Sequence, residues 1–193
     1  MRSRFILQLI VASLAGGSLL ACGHPRSAPP PQARGPGASP GLILQADEGE
    51  RRVRRNAGKG PFILKVDRQN GGSRDLVMGY EDLAPGAEIQ PHTHLVADEI
   101  LFIHRGSGVA KLGNRESMVS AGATIYIPRS VQISVRNTGT EPLGVAFVFS
   151  KPGFEELMRD NSVLEGQPVT PISAEEREQI RKRHSWHTIY PPR

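Results

Sequence analysis

The chain has 193 residues, of which 38% are hydrophobic and 22% are charged. This length and composition suit a soluble domain with a real core. A single cysteine excludes a disulfide framework within the chain. The formal net charge of +5 falls to +3 without Arg2 and Arg4, which belong to an N-terminal signal. Because this excess is small and aromatic and basic residues do not interleave, we expect no nucleic-acid partner.

The N-terminus predicts export and attachment to a membrane. Two arginines precede an apolar stretch from Phe5 to Ala21, which is short for a membrane span and typical of a secretory signal. The stretch ends in Leu-Leu-Ala-Cys-Gly, which resembles the lipobox of bacterial lipoproteins. We therefore predict a lipoprotein signal peptide over residues 1–21 and lipidation of Cys22, with a plain signal peptide as the alternative. By that resemblance, Gly23 after the cysteine favours the outer membrane, facing the periplasm.

Residues 22–59 have the composition of a linker. Pro, Gly, Ser and Ala dominate residues 24–43, and such a stretch cannot bury a core, so we predict a disordered tether. An arginine-rich run follows and ends at Arg55. It is either a patch for anionic lipid or polymer or a solvated part of the linker, and the acidic residues mixed into it favour the linker.

Residues 60–152 have the pattern of one all-β domain. Nine short strand-like runs cover residues 62–66, 75–80, 88–94, 99–104, 108–112, 117–119, 124–127, 131–135 and 143–149. Turn signals rich in Gly, Pro and Asn separate them. Many short strands at regular spacing predict a sandwich or barrel, and the double-sheet jelly roll is the match.

The C-terminal segment, residues 153–193, changes to a helical pattern. Apolar residues recur at helical spacing from Phe154. Ser173 and Glu176 form a capping box before a helix over Ala174–Arg183. We predict a tail with short C-terminal helices.

His92, His94 and Glu99 are spaced to bind one metal ion. Alternate residues of a strand point to the same face, so the two histidines face together. Leu95 to Asp98 can turn the chain, and Glu99 then opens an apolar partner strand from which its carboxylate folds back onto the imidazoles. Two imidazoles and one carboxylate with open positions form a facial triad, which suits Fe(II) and accepts other divalent metals.

This spacing resembles the first motif of the cupin superfamily. The family pattern is Gly, five residues, His-x-His, three or four residues, Glu, six residues and Gly, and Gly86, His92, His94, Glu99 and Gly106 match every position. The resemblance implies a cupin jelly-roll β-barrel. It also implies one divalent transition metal, with Fe, Mn, Zn, Ni and Cu as candidates.

The second cupin motif is only partly present. Gly122, Pro128 and Asn137 match it, but Ser130 replaces its last glycine and Ile133 replaces its histidine. By the resemblance, the usual fourth protein ligand is therefore absent. Either three protein groups keep the metal and leave positions for water or substrate, or the metal is lost and the pocket binds something else. Burying an unused set of ligands is costly, which favours retention.

Four further polar residues are weighed as site residues. Gln90 shares a face with His92 by strand parity and is predicted to bind the ligand, with an exposed rim position as the equal alternative. Tyr126 is a candidate pocket hydroxyl whose face the sequence does not fix. His184 and His187 lack a carboxylate at ligand spacing, so we interpret them as ordinary tail residues rather than a second metal pair.

Ile100 and Phe102 are apolar on the strand face opposite Glu99. A strand that is apolar on both faces is covered on both. The tail helices or a second subunit would provide that cover, and because many cupins dimerise we predict a homodimer.

Together these patterns predict an envelope-anchored cupin lipoprotein that binds one divalent metal and a small-molecule ligand. By resemblance it would be a metal-dependent dioxygenase- or isomerase-like enzyme. The alternative is a non-catalytic barrel that binds a sugar or aromatic acid without metal. A structural module of the envelope is the third hypothesis.

Overall fold

A computed structural model describes residues 41–56 and 60–192 of the chain. The signal segment 1–21 and Cys22 lie outside these residues. The strands are β1 (Glu50–Arg54), β2 (Pro61–Val66), β3 (Val77–Leu83), β4 (Glu88–His94), β5 (Glu99–Arg105), β6 (Ser107–Leu112), β7 (Arg115–Ser120), β8 (Thr124–Ile127), β9 (Gln132–Asn137), β10 (Leu143–Phe149), β11 (Ser162–Leu164) and β12 (Thr188–Ile189). The helices are α1 (Phe154–Asp160) and α2 (Ala174–Arg183). Within the described ranges, neither helix is long and apolar enough to cross a membrane.

The strands form two antiparallel sheets. One has the order β11-β1-β2-β3-β10-β5-β8, and the other has the order β12-β4-β9-β6-β7. Side chains alternate between the two faces of each strand, so each sheet directs one apolar set inward. In β5, for example, Leu101 and Ile103 are buried, whereas Ile100 and Phe102 are exposed. The inward sets of both sheets form one core, which includes Leu64, Val77, Ile103, Ile127, Ile133, Val135, Val145 and Phe149.

All nine predicted strand runs are strands in the structure, with small shifts at their ends. The double-sheet architecture agrees with the predicted fold class. The predicted tail helices are also present. The Ser173 side chain accepts a hydrogen bond from the Glu176 backbone N–H, as the capping box predicts.

The predicted end of the tether at residue 59 is wrong. Glu50 to Arg54 form strand β1, which pairs with both β2 and β11. Four of its five residues are charged and all five are half-buried, so it lacks the apolar period that identifies the other strands. Its arginines instead form ion pairs, such as that of Arg54 with Glu81 of β3, and Arg52 donates a hydrogen bond to the Ser162 hydroxyl of β11.

The C-terminal tail contributes to both sheets and is not purely helical. Strand β11 pairs with β1 at the edge of the larger sheet, and β12 pairs with β4 at the edge of the smaller one. The sequence analysis predicted only helices here. Strands of two or three residues are too short to show a period, so no sequence pattern identified them.

Two residues at positions of the cupin motifs, Gly106 and Ser130, have a left-handed backbone conformation. Gly106 has φ 77°, and a Cβ placed there would lie 2.5 Å from the carbonyl oxygen of Pro142, so only glycine fits. Ser130 has φ 67°, where a non-glycine residue is strained. Its backbone N–H donates to the carbonyl of His94 at 2.7 Å. Ser130 therefore takes a left-handed conformation at the position where the second motif has glycine, and its N–H bonds to the last residue of β4.

Candidate metal centre

Three buried side chains converge between the two sheets. His92 and His94 lie on β4 of the smaller sheet, and Glu99 begins β5 of the larger one. The two Nε2 atoms are 3.0 Å apart, and Glu99 Oε2 lies 3.3 Å from His94 Nε2. One ligand atom from each residue lies within 4.8 Å of the others. The structure therefore brings together the three residues that were predicted as metal ligands.

The contacts of the outer ring nitrogens orient both imidazoles. His92 Nδ1 lies 2.8 Å from the backbone carbonyl of Gln90, and a carbonyl only accepts, so Nδ1 carries the proton. In the neutral ring, Nε2 then carries the lone pair that faces the other two groups. His94 Nδ1 lies 3.1 Å from the Thr188 hydroxyl. Such contacts fix the ring and tautomer of metal-binding histidines.

Burial sets the protonation of the group. It raises the pKa of Glu99 to about 7, an effect that His92 opposes and Glu81 reinforces. Burial also lowers the pKa of His94 to about 4, so this imidazole is neutral near pH 7. A neutral imidazole has no proton to lose before it binds a cation.

The donor set fits a divalent cation. Glu99 Oε2 is buried and has no hydrogen-bond partner within residues 41–56 and 60–192. Such an orphaned carboxylate oxygen is costly unless a cation or proton satisfies it. His92 and His94 direct nitrogen atoms at the same point, and imidazole with carboxylate is a donor set for Fe, Mn, Zn, Ni and Cu. These three residues would hold the ion, which would act as a Lewis acid toward a bound oxygen atom.

The structure places the side chain of Ile133 beside this group. Ile133 is fully buried on β9 and pairs directly with His92. It therefore points inward, as the alternation of residues 131–137 predicts. The position where the family motif has histidine is apolar, so the described residues offer three ligands rather than four at this site.

Gln90 and Tyr126 were both predicted to bind the ligand, but the cavity is lined by Gln90 and not by Tyr126. The register of β4 against β9 shifts between Ile89 and His92, and this bulge turns Ile89 inward and leaves Gln90 exposed at the rim. Gln90 lines the cavity beside His92 and contacts it through its backbone carbonyl. Tyr126 is 57% exposed on the outer face of β8, between the buried Ile125 and Ile127. Its assignment as a pocket hydroxyl is wrong.

The tail supplies two residues that sequence analysis did not assign to the site. Thr188 of β12 contacts His94, and its hydroxyl also lies 2.8 Å from His187 Nδ1. When His94 Nδ1 donates to this hydroxyl, the hydroxyl proton is directed to His187. His187 is fully buried, and burial, with smaller effects of His94 and His184, lowers its pKa to about 4. A hydrogen-bonded chain therefore joins the tail to the candidate metal centre.

We expect Thr188→Val to weaken metal binding about 10- to 100-fold, the usual effect of removing such a contact. Valine keeps the shape of threonine but cannot orient His94. Competition with a chromophoric chelator measures the affinity. The control is Thr93→Val, since Thr93 lies on β4 between the two histidines and faces away from them. Equal affinity of the two variants would show that Thr188 does not orient the ligand.

A cavity of about 470 Å³ opens beside the metal centre. His92 lines it, so the cavity reaches the three-ligand group through this imidazole. Its wall combines the rim of β4 with side chains of β1, β3 and both helices. This volume suits a small organic molecule.

Comparison with known proteins supports the cupin superfamily. Residues 79–149 match the family model described as Cupin domain. The crystal structure of a predicted oxalate decarboxylase from Thermotoga maritima superposes with a TM-score of 0.51 and 19% identity, over 57% of this chain and 100% of that chain. With two antiparallel sheets and few helices, the predicted all-β cupin jelly roll is confirmed.

Two curated proteins are similar over part of the chain. The dimethylsulfoniopropionate lyase DddW of Ruegeria pomeroyi is 30% identical over 84 residues, which are 44% of this chain and 54% of that protein. Auxin-binding protein 1 of Arabidopsis thaliana is 30% identical over 90 residues, which are 42% of this chain and 45% of that protein. The chain thus spans about half the length of these relatives, one of which is named as an enzyme and one as a binding protein.

Proposed function

We propose that this protein is an envelope-anchored cupin lipoprotein that binds one divalent metal and a small-molecule ligand beside it. The convergence of His92, His94 and Glu99 on one point carries the proposal. The adjoining cavity provides the ligand space, and it shares His92 with the metal centre. A protein with three ligands retains open positions at the metal, where an oxygen atom of the ligand would bind.

Within this proposal, the protein is a dioxygenase- or isomerase-like metal enzyme, and a non-catalytic binding barrel is the second candidate. The coordination positions that three protein ligands leave open favour the enzyme. The apolar Ile133 and the similarity to a binding protein favour the barrel. Turnover of catechols, flavonols and keto acids by the metal-loaded protein separates them. Turnover that His94→Ala abolishes supports the enzyme. Ligand binding without turnover supports the barrel.

The proposed anchor rests on the signal sequence over residues 1–21, which Cys22 directly follows. We propose lipidation of this cysteine and a position at the outer membrane, facing the periplasm. Detergent partitioning of cell envelopes tests the anchor. The wild-type chain is expected in the membrane fraction and Cys22→Ser in the soluble fraction, and equal partitioning of both would exclude the lipid anchor.

We further propose a homodimer that covers the outer face of the larger sheet. Ile100 and Phe102 are each more than 40% exposed, and Ile100 pairs with the exposed Tyr126 of the adjacent strand β8. Neither tail helix buries them, although tail cover was one of the two predictions. Apolar side chains in adjacent strands form a patch of the kind that marks protein interfaces. Light scattering is expected to give twice the mass of one mature chain, and Ile100→Lys is expected to give the mass of a single chain.

A further inference from the structure

Three arginines line the cavity that adjoins the candidate metal centre. Arg54 belongs to β1, and Arg177 with Arg181 are one turn apart on α2, so both point to the same side of the helix. All three lie outside residues 79–149, the part of the chain that matches the family model. The arginines are therefore additions made by the segments that flank the cupin domain.

The protein itself neutralises only part of this positive charge. Arg54 forms an ion pair with Glu81 and stacks on the ring of Phe62. Arg181 lies 4.6 Å from the centre of the Tyr190 ring and forms no ion pair with any residue the structure describes. The other acidic group of the wall is Glu88, whose Oε2 accepts a hydrogen bond from Gln90. Three guanidinium groups therefore face two carboxylates.

Guanidinium donors are also left unused. The Nε atoms of Arg54 and Arg177 are buried and have no hydrogen-bond partner within the described part of the chain. The hydrogen bond of Arg177 to Asn56 is long, at 3.4 Å. Buried N–H groups of a cation are costly without an acceptor. A ligand oxyanion is the acceptor that a guanidinium binds in bidentate geometry.

The remaining wall combines polar side chains, those of Asn56, Gln90 and Asn161 among them, with five apolar ones. Leu83, Ile89, Phe154, Leu157 and Met158 line it, and Phe154 stacks on the ring of His92 with 6.1 Å between centroids. A cavity that combines guanidinium groups with these apolar side chains suits a ligand with a hydrocarbon or aromatic body and one anionic head.

We propose that the cavity binds a small organic carboxylate, with its head on Arg177 and Arg181 and its apolar body against Phe154 and Ile89, extending toward His92. This inference rests on the proposed function, because it names the chemical class of the ligand for the same site. Helix α2 then acts as a ligand-binding element, and the tail supplies the specificity of the cupin barrel.

Calorimetry on the full chain, purified in detergent and loaded with Zn²⁺, tests the ligand class. The probes are benzoate, phenylacetate and 3-phenylpropionate, each beside its amide, and phenyl phosphate. We expect at least one carboxylate to bind more tightly than its amide. Arg177→Gln and Arg181→Gln each should reduce that binding about 10- to 100-fold, the effect of losing a hydrogen bond to a charged group. The control is Lys182→Gln, which removes one charge from the same helix at an exposed position outside the cavity.

Metal content is measured on the same samples, so that the two proposals fail separately. Wild-type protein that refuses Zn²⁺ contradicts the proposed metal centre, whatever the carboxylates do. Zinc-loaded protein that prefers no carboxylate over its amide overturns the carboxylate assignment alone, as does equal binding by the arginine variants and Lys182→Gln. Binding of phenyl phosphate in preference to every carboxylate also overturns it.

Discussion

His94→Ala is expected to lower the affinity for a divalent metal by more than about 100-fold, beyond the effect of disturbing a ligand's supporting contacts. The His94 side chain is 1% exposed and faces both His92 and Glu99, so no water-filled space offers a replacement ligand. Titration with Zn²⁺ against a chelator of known affinity measures the loss. Glu99→Gln, which keeps the shape of the side chain but removes the anionic donor, should give a loss of the same order.

The control for this prediction is His104→Ala. His104 lies on β5, five residues beyond Glu99, but it is exposed and its ring contacts Tyr80 on the outer face. The His104→Ala variant should bind metal with the affinity of the wild type. Circular dichroism verifies that each variant is folded, because His94 is buried and its loss leaves a cavity. Folded His94→Ala with wild-type affinity would show that this imidazole is not a ligand.

Arg159→Met is expected to lower the free energy of unfolding by about 3–5 kcal/mol, the usual cost of removing one partner from a buried ion pair. Arg159 of α1 bonds to Glu50 of β1 at 2.6 Å and to Asp67 at 2.5 Å. Asp67 is fully buried and the Arg159 side chain is 11% exposed. Methionine fills the space but leaves Asp67 without its cation and Glu50 with Arg52 as its remaining cation. Chemical denaturation at pH 7 measures the change.

The stabilisation that the Arg159–Glu50 ion pair provides is expected to decrease at low pH. Although burial opposes it, hydrogen bonds from Arg159, Arg52 and Asn70 lower the pKa of Glu50 from 4.5 to about 2. The stabilisation is therefore fully present above pH 4.5 and is lost as the pH falls toward 2. The stability difference between wild type and Arg159→Met should shrink over that interval.

Arg51→Met provides the control on the same strand. Arg51 pairs with Glu165, but both side chains are at least 40% exposed. Exposed pairs contribute little, because solvent screens the charges and two long side chains lose entropy, so this variant should stay close to the wild type. Equal destabilisation by both substitutions would show that burial of the Arg159 network does not determine its contribution.

The sequence predicts the metal ligands because their signal is local. His92 and His94 share a strand face by alternation, and Glu99 follows after one short turn. Strand alternation also predicts that Gln90 shares the inward face of His92, and this is not observed. A bulge between Ile89 and His92 reverses the alternation before His92, and the sequence alone does not reveal the bulge. For Tyr126 the alternation does hold: the apolar Ile125 and Ile127 on either side indicate that Tyr126 faces away from the core. The sequence could therefore have predicted its outward position.

The tail contacts at the site depend on distant pairing. Thr188 and His94 are 94 positions apart, and a strand of two residues brings them together. No spacing rule reaches that far along a chain. The arginines of the cavity have the same origin, because β1 and α2 are distant in sequence: Arg55, directly after β1, pairs with Glu176 of α2, 121 positions away. Strand β1 was not predicted, because its residues are mostly charged and form ion pairs, so its sequence shows no apolar alternation.

The metal content of the purified full chain, determined by inductively coupled plasma mass spectrometry, tests the central claim most directly. The three converging ligands predict about one divalent metal per chain after loading and buffer exchange. His94→Ala prepared in parallel should be empty. A folded wild-type protein that holds no metal, and still holds none after incubation with Fe, Mn, Zn, Ni and Cu in turn, would contradict the account.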